Sequence, residues 1–230
     1  GDHRDLHLSI RRQRQMCIRD RAQVDTKPIR ESGLPVVWVV GGPASGKTTQ
    51  CAYISRVKEF VHVPVEELVQ EDVKKGSERG SKIAKLMDAG EPVPSTDFVE
   101  IIAEFMVASL ADHFPSPDGK AKGFLIDGFP TNVEEAQQFS ARVCPAANII
   151  CLSMEVDDMM ERTLKKGDDM EKTEKRMTAF QQETMPMLDK YQDKVIKVNG
   201  SEMSFLVTAD ITGALMGAGM DPRTEACLKI

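Results

Sequence analysis

Apolar residues recur along this 230-residue chain with two periods that alternate. Short β-branched and apolar runs at 35–40, 60–63, 123–127, 147–152 and 195–198 predict five buried strands. Between them, apolar residues spaced three and four apart mark one face of a helix. This spacing predicts helices over 48–59, 65–75, 81–89, 97–113, 132–141, 156–166, 171–191 and 201–215. Pro64 suits the opening turn of the second helix, and Gly76, Gly90 and Gly167 follow the last turns of three others. Ser95 or Thr96 can cap the helix over 97–113, and Pro186 predicts a bend in the one over 171–191. Strands alternating with helices predict an α/β fold, a parallel sheet with helices on both faces.

Composition narrows the class. A hydrophobic fraction of 41% with 29% charged residues fits one soluble domain. The longest clean apolar stretches, Leu34–Val40 and Ile149–Leu152, are far too short to cross a bilayer, so no membrane partner is expected. With 5% aromatics and a net charge of -6, the chain offers neither a stacking platform nor a basic footprint for a nucleic-acid polymer. Residues 1–33 differ from the rest: eight Lys/Arg stand against five Asp/Glu, with Arg11, Arg12, Arg14, Arg19 and Arg21 clustered and little periodic apolar content. They predict a disordered basic tail. The run Met16–Arg21 also resembles translated sequencing-adapter readthrough, which would put it outside the native protein. The organised domain spans 34–216 and a second tail 217–230. Cys17, Cys51, Cys144, Cys151 and Cys227 show no paired spacing, which predicts reduced packing thiols and a cytoplasmic location. No apolar stretch of a signal peptide follows the N-terminal arginines. The 13 methionines are dispersed through helices as core filler. His3, His7, His62 and His113 do not cluster, so neither a histidine metal site nor a histidine base is expected.

The strongest chemical signal is Gly41-Gly42-Pro43-Ala44-Ser45-Gly46-Lys47-Thr48, which matches the phosphate-binding pattern G-x-x-x-x-G-K-[ST] between a strand and a helix. Glycines let the backbone curl so that successive N–H groups converge on phosphate oxygens, and the helix N-terminus adds its own free donors. Lys47 would bring a charge to the β- and γ-phosphates of ATP, and the Thr48 hydroxyl suits the shell of Mg²⁺; Thr49 completes the set of nucleotide contacts. Asp127 ends a strand, where open α/β sheets bind ligands, and would accept from a Mg²⁺-bound water or from Thr48. Arg162 and Lys166 share one helix face, and Lys172 and Arg176 share the next. The two faces either converge on a polyphosphate or are solvated faces with local pairs such as Asp158–Arg162.

From Pro35 to about Leu215 the chain resembles the adenylate kinase / UMP-CMP kinase family. Three segments carry the likeness: Val37–Cys51, with Thr48 where the family usually has glycine; Gly76–Pro94, with Gly80, Lys85-Leu86-Met87, Gly90 and Val93-Pro94; and Gly123–Pro130. The resemblance implies a P-loop NTPase fold with strand order 2-3-1-4-5. It also implies a helical monophosphate-binding subdomain at about 62–98, a lid reduced to about 167–170, and a monomer that transfers the ATP γ-phosphate reversibly to a nucleoside monophosphate. It assigns Lys47 as the catalytic lysine, Asp127 as the Mg²⁺-water carboxylate, and Arg162 and Arg176 as phosphate clamps, with Lys166 at a third clamp position.

On the acceptor side the chain departs from the family. Pro64–Gln70 replaces the family's Ser-Thr-Gly-Asp-Leu-Leu-Arg, so the base-contacting threonine is Val65 and a phosphate-binding arginine is Gln70. A second such arginine is Thr131, and the base-reading glutamine falls at Glu135; Val93 and Gly128 retain the family residues. The lid has lost its arginine. Two readings follow: an active nucleoside-monophosphate kinase with an unusual acceptor such as AMP, CMP or UMP, or an impaired binding or structural module that keeps ATP and could serve a protein partner. A kinase for a non-nucleotide small molecule is a variant of the first.

Overall fold

The computed structural model describes residues 24–111, 121–167 and 169–217. Its five strands are β1 (Val36–Gly41), β2 (Val61–Pro64), β3 (Phe124–Asp127), β4 (Asn148–Ser153) and β5 (Val195–Asn199). All pair in parallel, in the order β2-β3-β1-β4-β5 that the resemblance implies. Burial of β1 explains its composition. It lies between β3 and β4, and Val36 to Val40 are no more than 2% exposed. Its side chains alternate between two apolar layers, as the pleat requires. Val36, Trp38 and Val40 join one core cluster; Val37 and Val39 join the other.

The helices are α1 (Lys27–Ser32), α2 (Lys47–Lys58), α3 (Val65–Lys75), α4 (Glu78–Ala89), α5 (Ser95–Ala111), α6 (Val133–Arg142), α7 (Val156–Lys166), α8 (Met170–Ala179), α9 (Met185–Lys190) and α10 (Ser204–Gly217). Residues of α2 and α10 fill one sheet face, through Cys51, Ile54, Val207, Ile211 and Leu215. Residues of α1, α3, α4, α5, α6 and α9 fill the other. There Trp38 meets Phe139 and Tyr191 edge-on, at centroid distances of 5.9 and 5.8 Å.

Four expectations need correction. The tail assigned to 1–33 ends earlier: residues 1–23 lie outside the described residues, but 24–33 are built into the domain. Pro28 sits in the first turn of α1, Ile29 is 2% exposed, and Arg30 donates from Nε to Val143 O at 2.6 Å and from Nη2 to Ala141 O and Arg142 O. Those carbonyls at the end of α6 lack helical partners, and an arginine satisfies them. The start of α4 is three residues earlier than the apolar pattern predicts, because Ser77 caps it by accepting from Gly80 N at 2.8 Å. Gly80 is required there, since a Cβ would lie 2.1 Å from Asp72 O of α3.

The helix expected over 171–191 runs as α8, a π-helical turn at Phe180–Thr184, and α9. Pro186 lacks an N–H and its ring crowds the carbonyl four residues back, so the widened turn falls before it. The last helix begins at Ser204 rather than 201. The end expected for α5 at His113, Asp168 of the short lid, and the tail beyond 217 lie outside the described residues.

Arg79 fastens α3, α4 and α5 together. Its Nε and Nη2 donate to Asp72 at 2.8 and 3.1 Å, and its Nη1 and Nη2 donate to Glu104 at 2.8 and 2.7 Å. These bonds hold the Asp72 carboxyl below its ordinary pKa, against the opposing effect of burial. A depressed carboxylate pKa contributes stability that is present above the unfolded value, about 3.9, and is lost as pH falls through the folded one. Urea unfolding of native protein and Asp72→Asn should therefore differ most above about pH 4, with the difference shrinking in stronger acid. A difference that grows on acidification would contradict the assigned sign.

Candidate phosphoryl-transfer site

The parallel register brings the carboxyl ends of three strands level. Val39 of β1 lies opposite Asp127 of β3, and Asp127 lies opposite Pro64 of β2. Just beyond them β1 turns through the glycine loop into α2, so the loop, Asp127 and the start of α3 surround one cavity of about 500 Å³.

The loop is tightly fitted from below. A Cβ on Gly42 would lie 2.5 Å from Met159 Sδ, so a larger residue there would have to push the flexible end of that side chain aside. Lys47 folds back over the loop, and its Nζ donates to Gly41 O and Gly42 O, each at 2.9 Å. This places the ammonium at the mouth of the loop, beside the free N–H groups that begin α2. Desolvation lowers the Lys47 pKa; the nearby Asp127 opposes that shift and Arg176 adds to it. Thr48 and Asp127 both line the cavity beside Lys47. A hydroxyl and a carboxylate form an all-oxygen donor pair, which fits Mg²⁺ held partly through water.

The structure brings many of the expected residues to this wall: Gly41, Pro43, Ala44, Ser45, Gly46, Lys47, Thr48, Thr49, Asp127, Gly128, Lys166 and Arg176. Gly42 lies beneath it and contributes its carbonyl to Lys47. Of the expected acceptor residues, Gln70 and Thr131 line the opposite side. Other expected residues stand elsewhere. Arg162 donates to Ser201 O at 3.2 Å, while Ser201 Oγ donates to Asp158 at 2.5 Å, so the local pairing expected of Asp158 and Arg162 runs through Ser201. Val65 is 5% exposed in the core, and Val93 packs against that core. Glu135 is also buried. It accepts from Thr131 N at 2.6 Å and Thr131 Oγ1 at 2.9 Å, and burial raises its pKa.

The charge on the two walls differs. Among the described residues, Lys47, Lys166 and Arg176 are the cations lining the cavity. Glu66, Glu67 and Glu183 line the same cavity, with the neutral Gln70 and Thr131. Arg176 crosses the gap, donating from Nη2 to Glu66 Oε2 at 2.9 Å. Two cations of α4 are already paired, Arg79 with Asp72 and Glu104 and Lys82 with Asp97 at 2.8 Å. Glu66, Glu67 and Glu183 do not stand out as site residues in the sequence. The signal available for the first two was their place in the first turn after Pro64, which the register sets beside Asp127. His62, which the sequence gives no reason to place in a site, has its Nε2 3.2 Å from Asp127 Oδ2.

Comparison with known proteins agrees with this geometry. The family model described as adenylate kinase matches residues 39–196. The chain is 29% identical over 215 residues to adenylate kinase isoenzyme 1 of Caenorhabditis elegans, covering 90% of this chain and 97% of that protein. It is 32% identical over 173 residues to human adenylate kinase isoenzyme 1, covering 71% of this chain and 85% of that one. It is also 34% identical over 166 residues to human adenylate kinase isoenzyme 5, covering 69% of this chain but 28% of that longer protein. With the strand order, the loop between β1 and α2 and Asp127 beside it, these matches show that the chain belongs to the adenylate kinase family.

Proposed function

We propose that this protein binds Mg²⁺·ATP on the loop of residues 41–49 and transfers its γ-phosphate slowly to a nucleoside monophosphate, with AMP, CMP and UMP as the candidate acceptors. The observation that carries this reading is the convergence of Lys47, Lys166 and Arg176 on the cavity that the loop and Asp127 also line. Phosphoryl transfer demands position and neutralised charge more than covalent chemistry. The loop N–H groups would hold the β-phosphate, and Lys47 would neutralise charge at the bridging oxygens. Arg176, released from Glu66, and Lys166 would stabilise the migrating group. Thr48 and Asp127 would hold Mg²⁺, which supplies further positive charge when bound. The acceptor would lie along α3, against Gln70, Gly128 and Thr131. The free thiols Cys51, Cys144 and Cys151 are in keeping with work in the cytoplasm.

A second reading, an ATP-holding module without useful turnover, draws support from the acceptor wall. A phosphate dianion placed there meets Glu66, Glu67 and Glu183, and among the described residues the arginine of the lining, Arg176, is bonded to Glu66. A lost charged contact to a transferring phosphate costs roughly 2–4 kcal/mol, about 30- to 1000-fold in rate.

Transfer from γ-labelled ATP to AMP, CMP, UMP and GMP tests the proposal. Native protein should give detectable product far below an ordinary turnover of about 10 s⁻¹, and Lys47→Ala should abolish it. Ordinary kinase rates in the native chain would overturn the proposed impairment; no product with any acceptor would leave the module reading standing. The triple variant Glu66→Gln, Glu67→Gln and Gln70→Arg frees Arg176 and restores a bidentate donor to α3 without an acidic neighbour one turn away to capture it. It should raise the transfer rate at least about tenfold over the native chain. An unchanged or lower rate would show that charge on this wall is not what limits transfer.

A further inference from the structure

Behind the loop, three side chains from three elements meet at one point: Cys51 of α2, His62 of β2 and Asp127 at the end of β3. One ligand atom from each, Sγ, a ring nitrogen and a carboxylate oxygen, lies within 4.8 Å of the other two. His62 Nε2 and Asp127 Oδ2 are 3.2 Å apart, and the side chain of His62 is 17% exposed against 6% for Asp127. Cys51 is 1% exposed and free. Among the described residues, this is the grouping of three or more His, Cys, Asp and Glu side chains close enough to share an ion. Phosphoryl transfer as described uses only Asp127 of the three.

The donor set chooses its ion. Mg²⁺ takes oxygen and keeps its waters, so a thiol and an imidazole exclude it. A sulfur, a nitrogen and an oxygen suit a borderline-soft tetrahedral ion such as Zn²⁺, with a fourth position left for water. Bonds of about 2.0–2.3 Å put tetrahedral ligand atoms about 3.3–3.8 Å apart, so the three groups need only small side-chain rotations to close on an ion. Asp127 lines the nucleotide cavity and provides the way in. We propose that Cys51, His62 and Asp127 form a site for a thiophilic divalent cation of the Zn²⁺ class, and that its occupation withdraws Asp127 from the Mg²⁺·ATP site. The Cys51 proton leaves to water as the sulfur–metal bond forms. Because both ions draw on one carboxylate, each weakens the other's binding by the same factor.

Cobalt(II), a coloured stand-in for zinc, tests this on the full chain. Titration of native protein should develop a near-ultraviolet thiolate-to-cobalt band that saturates at one equivalent. Cys51→Ser should remove the band, and His62→Gln should weaken cobalt binding about 10- to 100-fold. Saturating Mg²⁺·ATP should weaken cobalt binding to the native chain as well. A native chain with no band, a band that survives Cys51→Ser, or an affinity indifferent to both His62→Gln and Mg²⁺·ATP would each overturn the proposal; the last would leave the trio as a packed hydrogen-bonded group. Circular dichroism confirms that each variant is folded, and should Cys51→Ser fail to fold, the native titration and His62→Gln decide.

Discussion

Complete burial of β1 between two parallel neighbours is the constraint on which the site depends. A strand enclosed on both faces and both edges has its register fixed by packing, because a one-residue slip would exchange its two apolar layers. That register sets Val39 against Asp127, so the phosphate loop and its carboxylate reach the same end of the sheet at the same height. The loop then has little freedom. Met159 closes it from below, and Lys47 is bonded to its carbonyls before any nucleotide arrives. Such preorganisation lets a few N–H groups and one ammonium act on a phosphate without reorganising at the moment of transfer.

The two halves of the cavity are under different constraints. Donor residues are held by the backbone of the sheet. The proposed acceptor contacts Gln70 and Thr131 project from α3 and from the turn after β3, where exposed side chains can change without disturbing the core. There the chain carries carboxylates and neutral groups, and it spends an arginine of the donor side on pairing with Glu66. That pair is exposed on both sides, so solvent screens it and it holds only weakly. It is a contact that a triphosphate would readily displace, in contrast to Arg79, which three acids and two neighbouring helices keep from the cavity.

Most of the fold was legible in the sequence because its strands are buried on both faces and read as unbroken apolar runs, and because Gly76, Gly90 and Gly167 mark helix ends. What escaped was short or polar. Six residues of α1 carry one buried side chain, Ile29, too few to show a period. The π-helical turn leaves no pattern of its own; only Pro186 points to it. In the site, the loop and Asp127 were visible from local sequence. The acidic lining was not, because Glu66, Glu67 and Glu183 look like solvated helix faces until α3 and the turn before α9 are seen to line one cavity. The meeting of Cys51, His62 and Asp127 likewise depends on strand order, since β3 lies next to β2 in space but 60 residues later in the chain.

On the proposed function, the cavity holds ATP through the loop and Asp127 and holds a monophosphate only weakly beside Glu66, Glu67 and Glu183. Isothermal titration of the full chain with ATP and with AMP, each with and without Mg²⁺, measures both halves at once. The expected result is Mg²⁺-dependent ATP binding in the micromolar range and no measurable heat from AMP, whether or not a non-hydrolysable ATP analogue already fills the loop. AMP binding as tight as that of ATP, or ATP binding indifferent to Mg²⁺, would contradict it.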